Sequence, residues 1–431
     1  MIDPAVMIDA GGPVPAPALG VAAGSVDEGH RRAAAWPYAE LDIAALRASG
    51  WRPTPVREFI LKIHQRCNLA CDYCYVYESA DQSWRDRPAA MPVEVRQAAV
   101  AAIGTHVRRH ELTRIRIVLH GGEPLLYGLD RIAALIAEVR AGVPATCAVE
   151  FGMQTNAVLL TAPALVRLRE LGVVVGVSVD GVEADHDRHR VTRAGKGSFA
   201  SVSRALGLLR SPEYQAVYGG LLCTVSPESD PIACYEQLLA FAPPLIDFLL
   251  PHANWAYPPS RPAGSPTAYA DWLIAVFDRW YDAGGPMRVR IFEDVINLLL
   301  GGPSRSEQAG LSPAAICVVE SDGALEQVDA LKSTYAGACA TGLNVLTDDL
   351  DRLLEHPGVI ARQIGVQALS DDCLACPIHR VCGGGHYAHR YAPVTGFRNT
   401  SAYCADMQKL INYIWKRLDA DVRRLAVWGK A

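Results

Sequence analysis

The chain has 431 residues, of which 50% are hydrophobic and 20% charged, enough to bury one large core and a smaller one. A formal net charge of −5 gives no general electrostatic reason to bind nucleic acid or an anionic membrane. No basic stretch leads into an apolar signal core and no apolar run approaches the roughly 20 residues of a membrane span, so the expected location is cytoplasmic. In that setting, 12 cysteines speak for metal or redox chemistry before disulfides.

Residues 1–35 are rich in Ala, Gly and Pro without helical or strand period, and residues 1–50 are expected to form a flexible arm and lead-in. From Phe59 onward, apolar and β-branched runs at 59–64, 114–120, 147–154, 173–179, 217–225 and 245–250 read as strands. Amphipathic stretches at 93–109, 130–141, 163–171, 198–209 and 231–241 read as the intervening helices. Repeated βα units imply a parallel sheet, here an open partial (β/α)6 barrel within residues 51–300, with its chemistry at the C-terminal ends of the strands. Residues 265–300 read as one or two more helices, and Gly301, Gly302 and Pro303 mark a break. The remainder, 301–431, reads as a loop-rich, cysteine-rich domain closed by an amphipathic helix over 405–427.

Directly after the first predicted strand comes Cys67-Asn68-Leu69-Ala70-Cys71-Asp72-Tyr73-Cys74. Three thiolates on so short a loop can hold three irons of a 4Fe–4S cluster and leave the fourth iron without a protein ligand. A zinc knuckle is the plain alternative for the spacing alone. The second predicted strand ends in Gly121-Gly122-Glu123-Pro124, where two glycines allow close backbone approach and Glu123 offers an acceptor for an ammonium. Alone this is a turn. Together, with Tyr73 before the last cysteine, the two motifs resemble the radical S-adenosylmethionine (SAM) superfamily. The resemblance implies that SAM occupies the vacant iron through its amino nitrogen and carboxylate, that Gly121, Gly122 and Glu123 bind its amino group, and that its reductive cleavage gives a 5′-deoxyadenosyl radical. It also implies SAM contacts from Asn156 and Ser178, at the ends of the third and fourth predicted strands, and from Arg190 beyond the fourth. The other reading makes Asn156 and Ser178 helix caps and Arg190 half of a surface ion pair. Asp180 reads as structural.

Farther on, Cys373, Cys376, Cys382 and Cys404 follow a spacing that resembles the SPASM extension of radical SAM peptide maturases. This implies an auxiliary 4Fe–4S cluster on those four thiolates, though a four-cysteine zinc site needs the same ligands. The extension normally carries seven cysteines; here His386 stands where one is expected after Gly383-Gly384-Gly385, and Val328 stands where another is expected. Cys317 and Cys339 remain, and with His386 they would give three ligands for a second auxiliary cluster, because imidazole can replace thiolate on iron. Such a site would be occupied with an open iron or empty. Cys147, Cys223 and Cys234 read as buried apolar residues.

Several stretches, among them Leu61-Lys62-Ile63-His64-Gln65-Arg66, Gln327-Val328-Asp329-Ala330-Leu331-Lys332 and His386-Tyr387-Ala388-His389-Arg390-Tyr391, resemble the FxsB-type radical SAM/SPASM maturases of actinobacteria. This implies a ribosomally made precursor peptide as substrate and a three-residue cyclophane as product, an aromatic ring carbon being joined to the β-carbon two positions on. It also implies an electron donor such as ferredoxin or flavodoxin, with no nucleic acid or membrane partner. Thioether formation, epimerisation and sulfatase-type oxidation share the same motifs. A zinc-stabilised peptide-binding scaffold without catalysis is the reading from another class. His64, His120, Asp329, Lys332, His386 and His389 are candidates for proton transfer, none of them assigned.

Overall fold

The first strand, β1 (Glu58–His64), is covered on both faces: Phe59, Leu61 and Ile63 are fully buried, and so is Lys62. Near-continuous burial of this kind belongs to a parallel sheet flanked by helices. In the computed structural model, which describes residues 35–304 and 306–428, β1 is followed by β2 (Arg114–Gly121), β3 (Ala148–Thr155), β4 (Val173–Ser178), β5 (Tyr218–Thr224) and β6 (Leu245–Leu249). These pair in parallel in chain order, the partial barrel expected from the sequence, and each lies within two residues of its predicted span. A short lead-in helix, α1 (Ile43–Ala48), precedes β1; the barrel helices are α2 (Val93–Arg109), α3 (Leu129–Gly142), α4 (Ala162–Leu171), α5 (Glu183–His189), α6 (Phe199–Leu209) and α7 (Pro231–Ala240). Helix starts follow ordinary capping chemistry: Thr161 accepts from the Ala164 amide, and Asp230 from those of Ile232 and Ala233, with Pro in the first turn of each helix.

The stretch 265–300 forms α8 (Ala268–Asp282) and α9 (Arg290–Leu299), with the two-residue β7 (Arg288–Val289) beside β6. Beyond the expected break at Gly301–Pro303 the chain returns to the sheet. β8 (Ile316–Val319) pairs in parallel with β1, and β9 (Ala324–Glu326) and β10 (Ala340–Asn344) continue antiparallel from it. The result is one ten-stranded sheet in the order β10-β9-β8-β1-β2-β3-β4-β5-β6-β7. Short helices α10 (Pro357–Ala361), α11 (Asp371–Ala375) and α12 (His379–Cys382) precede the long α13 (Cys404–Trp428), which packs on α8.

Of the expected arm, residues 1–34 lie outside the described residues. Within 35–50, Trp36 is 3% exposed, shares a core with Leu46 and Phe397, and carries the Arg398 guanidinium 4.8 Å above its ring. Among the described residues no helix is long and apolar enough to cross a membrane.

Candidate active site

The loop after β1 carries Cys67, Cys71 and Cys74 along the wall of a cavity of about 700 Å³ at the C-terminal ends of the parallel strands. All three thiols are free and half-buried. Two backbone bonds fix the loop to the end of β2: the Gly122 amide donates to the His64 carbonyl at 2.8 Å, and the Glu123 amide to that of Arg66 at 3.0 Å. The glycines make this closeness possible. A Cβ on Gly121 would lie 2.1 Å from the His64 oxygen, and one on Gly122 1.9 Å from the Tyr77 hydroxyl. The close approach read from the sequence is therefore first an approach to the cysteine loop; both glycines also line the cavity.

Glu123 is fully buried and spends its carboxylate inside the protein, accepting from the Leu125 and Asn156 amides and from the Thr155 hydroxyl at 3.0, 2.9 and 2.7 Å. It ties the end of β2 to that of β3 and so places Asn156. Asn156 donates to the Cys67 sulfur at 3.5 Å and to Asn68 at 2.8 Å, aimed by a turn in which it accepts from the Val158 amide and Ala157 takes a φ of 60°. Ser178 accepts from Gln154 at 2.9 Å. Neither caps a helix: α4 is capped by Thr161, and α5 starts after Val182. Nor is Arg190 at the surface. It is 8% exposed, donates to the Tyr73 hydroxyl at 2.7 Å, and keeps a buried Nε with no partner. Tyr73 in turn donates to Asp180, which also accepts from the Thr224 amide. Arg190 thus lines the cavity with its guanidinium held by Tyr73, which suits a carboxylate.

Burial pushes all three thiols up, Cys71 to about 11, and for Cys67 and Cys71 the neighbouring thiolates add to it. Three crowded thiols that resist ionisation on their own are suited to cationic irons, which would hold them as thiolates. The residues present therefore fit the cluster and its SAM.

Cys373, Cys376, Cys382 and Cys404 come together from α11, α12 and the start of α13 around a small cleft also walled by His379 and Gln408. Burial and the other three thiolates raise Cys404 to about 12. The trio Cys317, Cys339 and His386 is not brought together. Cys317 points its thiol at the Val318 carbonyl within the barrel core, and Cys339 donates to the Val328 carbonyl in the second core. His386 instead meets His252 and His389, with ring centroids 5.6 and 4.9 Å away. Burial and then His386 hold His252 down to about 3, and burial, joined by Arg362 and Arg390 and opposed by Glu307, holds His386 to about 4.

Around Val328 the chain builds a buried ion network in place of the expected thiolate. Lys62 donates to Asp329 at 2.6 Å, and Lys332 to Glu320 and Glu326 at 3.0 Å each, while Arg87 pairs with both glutamates. Three cations face three anions. Gln154, Lys62, Glu320 and His252 were not singled out from the sequence. Gln154 was within reach, since it precedes Asn156 by two positions and so projects on the same side of the strand. His252 was not, because nothing near it is patterned.

Together the parallel barrel, the three-thiol loop at its strand ends and the gathered C-terminal cysteines give the fold of a radical SAM partial barrel with a cysteine-rich, SPASM-type C-terminal region. Residues 61–218 match the radical SAM superfamily. The chain is 24% identical over 380 residues to the cysteine-type anaerobic sulfatase-maturating enzyme of Clostridium perfringens, covering 84% of this chain and 97% of that one. It is 26% identical over 369 residues to the serine-type anaerobic sulfatase-maturating enzyme of Klebsiella pneumoniae, covering 81% and 88%. In fold it is similar to native anSMEcpe with bound AdoMet, with a TM-score of 0.73 and 23% identity over 86% of this chain and all of that one. It is also similar to Streptococcus suis SuiB bound to its precursor peptide SuiA, with a TM-score of 0.52 and 14% identity over 84% and 78%. Residues 61–218 therefore carry the radical SAM match, and the chain is an enzyme that uses a 4Fe–4S cluster, SAM and auxiliary iron–sulfur chemistry.

Proposed function

We propose that this chain is a peptide maturase that installs a carbon–carbon cyclophane, joining an aromatic ring carbon to the β-carbon of a residue two positions on. The observation that carries the maturase reading is the cavity of about 700 Å³ shared by the three thiols and by Gln154, Asn156, Ser178 and Arg190, large enough for SAM and a substrate side chain together. When bound, cluster and SAM supply a 5′-deoxyadenosyl radical able to take hydrogen from an unactivated carbon. Cys67, Cys71 and Cys74 hold the iron. Arg190, already pinned by Tyr73, lines the cavity and offers its guanidinium to the SAM carboxylate, and Asn156 and Ser178 orient the rest of the cofactor. Cys373, Cys376, Cys382 and Cys404 would hold an auxiliary cluster, which would supply an acceptor for the electron released as the ring regains aromaticity. His120 lines that cavity and lies 4.0 Å from Asp329, which Lys62 and Lys332 hold ionised, so the pair offers an acceptor for the ring proton. Ferredoxin or flavodoxin supplies the first electron.

The cross-linking assignment rests on the FxsB-type stretches. The sulfatase-maturating relatives favour a second reading, oxidation of one cysteine or serine side chain in a protein substrate. Anaerobic incubation of the cluster-loaded enzyme with SAM, dithionite and candidate peptides separates the two. A product two hydrogens lighter, with fragmentation suppressed between the joined residues and lost when the aromatic residue is replaced by leucine, supports cross-linking. Oxidation at a single cysteine or serine, with full fragmentation, refutes it.

A further inference from the structure

The three histidines that meet beside the thiol cavity have no role in the chemistry above. His252 follows β6, and His386 and His389 sit on one turn of the loop between α12 and α13. A ring nitrogen from each lies within 4.8 Å of those of the other two. The loop is set before any ligand arrives: Arg390 donates to the carbonyls of Gly383, Gly384 and Gly385, and Tyr403 donates to the Pro251 carbonyl at 2.8 Å, joining the segment that carries His252 to the start of α13. His386 accepts from the Ala388 amide through Nδ1, which fixes its ring and leaves Nε2 for another partner. Two of the nitrogens are buried with no hydrogen-bond partner, Nδ1 of His252 and Nε2 of His389, and His389 itself is 4% exposed. A buried ring nitrogen without a partner forfeits the hydrogen bond it made to water unless something binds it. A histidine cluster kept only for packing would be expected to turn these atoms towards donors or acceptors.

We infer that His252, His386 and His389 form a binding site for one divalent transition-metal ion, distinct from the iron–sulfur sites. Three neutral imidazoles without a thiolate suit Zn²⁺ or Fe²⁺. Three protein ligands leave a position open, the pattern of a metal that takes water or a substrate oxygen as its remaining ligand. The surroundings agree, since a second cavity of about 600 Å³ reaches all three rings and His252 also lines the thiol cavity. The position that SPASM enzymes give to a cysteine is thus a ligand in this chain too, with different partners.

Zinc binding tests this without any radical chemistry, so the outcome is independent of the maturase assignment. The full-length, cluster-loaded protein is incubated with Zn²⁺, freed of excess by gel filtration, and examined for metal content and zinc X-ray absorption. The expected result is about one zinc per chain with nitrogen ligands at about 2.0–2.1 Å and no sulfur at about 2.3 Å. In His252→Ala and His389→Ala the zinc falls at least tenfold while iron and sulfide stay unchanged. No retained zinc, sulfur ligation, or retention in both variants overturns the inference. If the variants fail to fold, the ligand shell of the wild-type protein decides alone.

Discussion

A methyl group on Gly122 would sit 1.9 Å from the Tyr77 hydroxyl and 2.6 Å from the Arg66 carbonyl oxygen, so the contact between the β2 end and the cysteine loop tolerates only hydrogen there. Gly122→Ala is expected to cost about 1–3 kcal/mol in denaturant unfolding, the range for overpacking. Adding Tyr77→Phe should restore little of it, because the Arg66 backbone remains in the way; full recovery would show that the hydroxyl alone sets the limit. Arg190 lines the thiol cavity with its guanidinium held by Tyr73. Arg190→Met should weaken SAM binding about 10- to 100-fold in anaerobic calorimetry, the range for a lost charged hydrogen bond. An unchanged dissociation constant would remove Arg190 from the SAM site.

The elements around Val328 show how two solutions to one place in a fold differ physically. Where the extension it resembles would supply a thiolate, this chain closes β8 and β9 on β1 with Lys62, Arg87 and Lys332 against Glu320, Glu326 and Asp329. Removing one member strands a buried charge, so Lys332→Met should lower stability by about 3–5 kcal/mol, measured by denaturant unfolding with clusters loaded. A loss below about 1 kcal/mol would mean that water reaches the network. On the other side of α12, Cys373→Ala with Cys376→Ala should remove about four irons per chain and leave those on the Cys67 loop. Loss of one zinc with no change in iron would instead mark that site as a zinc site. Cys67, Cys71 and Cys74 were legible because ligands on one loop stay neighbours whatever the fold, and so were Cys373, Cys376 and Cys382; Cys404, from the start of α13, was legible only through the resemblance to the SPASM spacing. The barrel strands were legible for a similar reason: each is a five- to eight-residue apolar run closed by a helix. β8, β9 and β10, of four, three and five residues, are too short to show a period, and their place is set by pairing with β1 from far along the chain. The histidine cluster and the ion network are likewise long-range, which is why His386 was grouped with cysteines that it does not meet.

For the molecule as a whole, acid is expected to act through histidine before it acts through carboxylates. Burial and then Arg190 hold His186 down to about 3, and burial holds His356 to about 4, both below the ordinary value near 6.5. The unfolded chain therefore binds more protons between pH 6.5 and 4, so stability is full above that window and falls as pH drops through it. Asp329, held below the usual carboxylate range by Lys62 and Lys332 against the effect of its burial, adds a loss only below about pH 4. Unfolding midpoints at pH 7.5, 6 and 5 should fall in that order. His356→Asn, which keeps an acceptor for the Gly358 amide, should flatten the slope, and an identical slope would exclude His356. The return of the chain to β1 has a consequence for synthesis on the ribosome. Lys62 and Asp329 are 267 positions apart, and one edge of β1 stays unpaired until β8 has emerged. At translation speeds of about 5–20 residues per second, that open edge and the unmatched Lys62 beneath it are exposed for tens of seconds. Of the six barrel strands the first is thus completed last, and conditions that slow translation between β1 and β8 lengthen the time during which neighbouring nascent chains can pair with it.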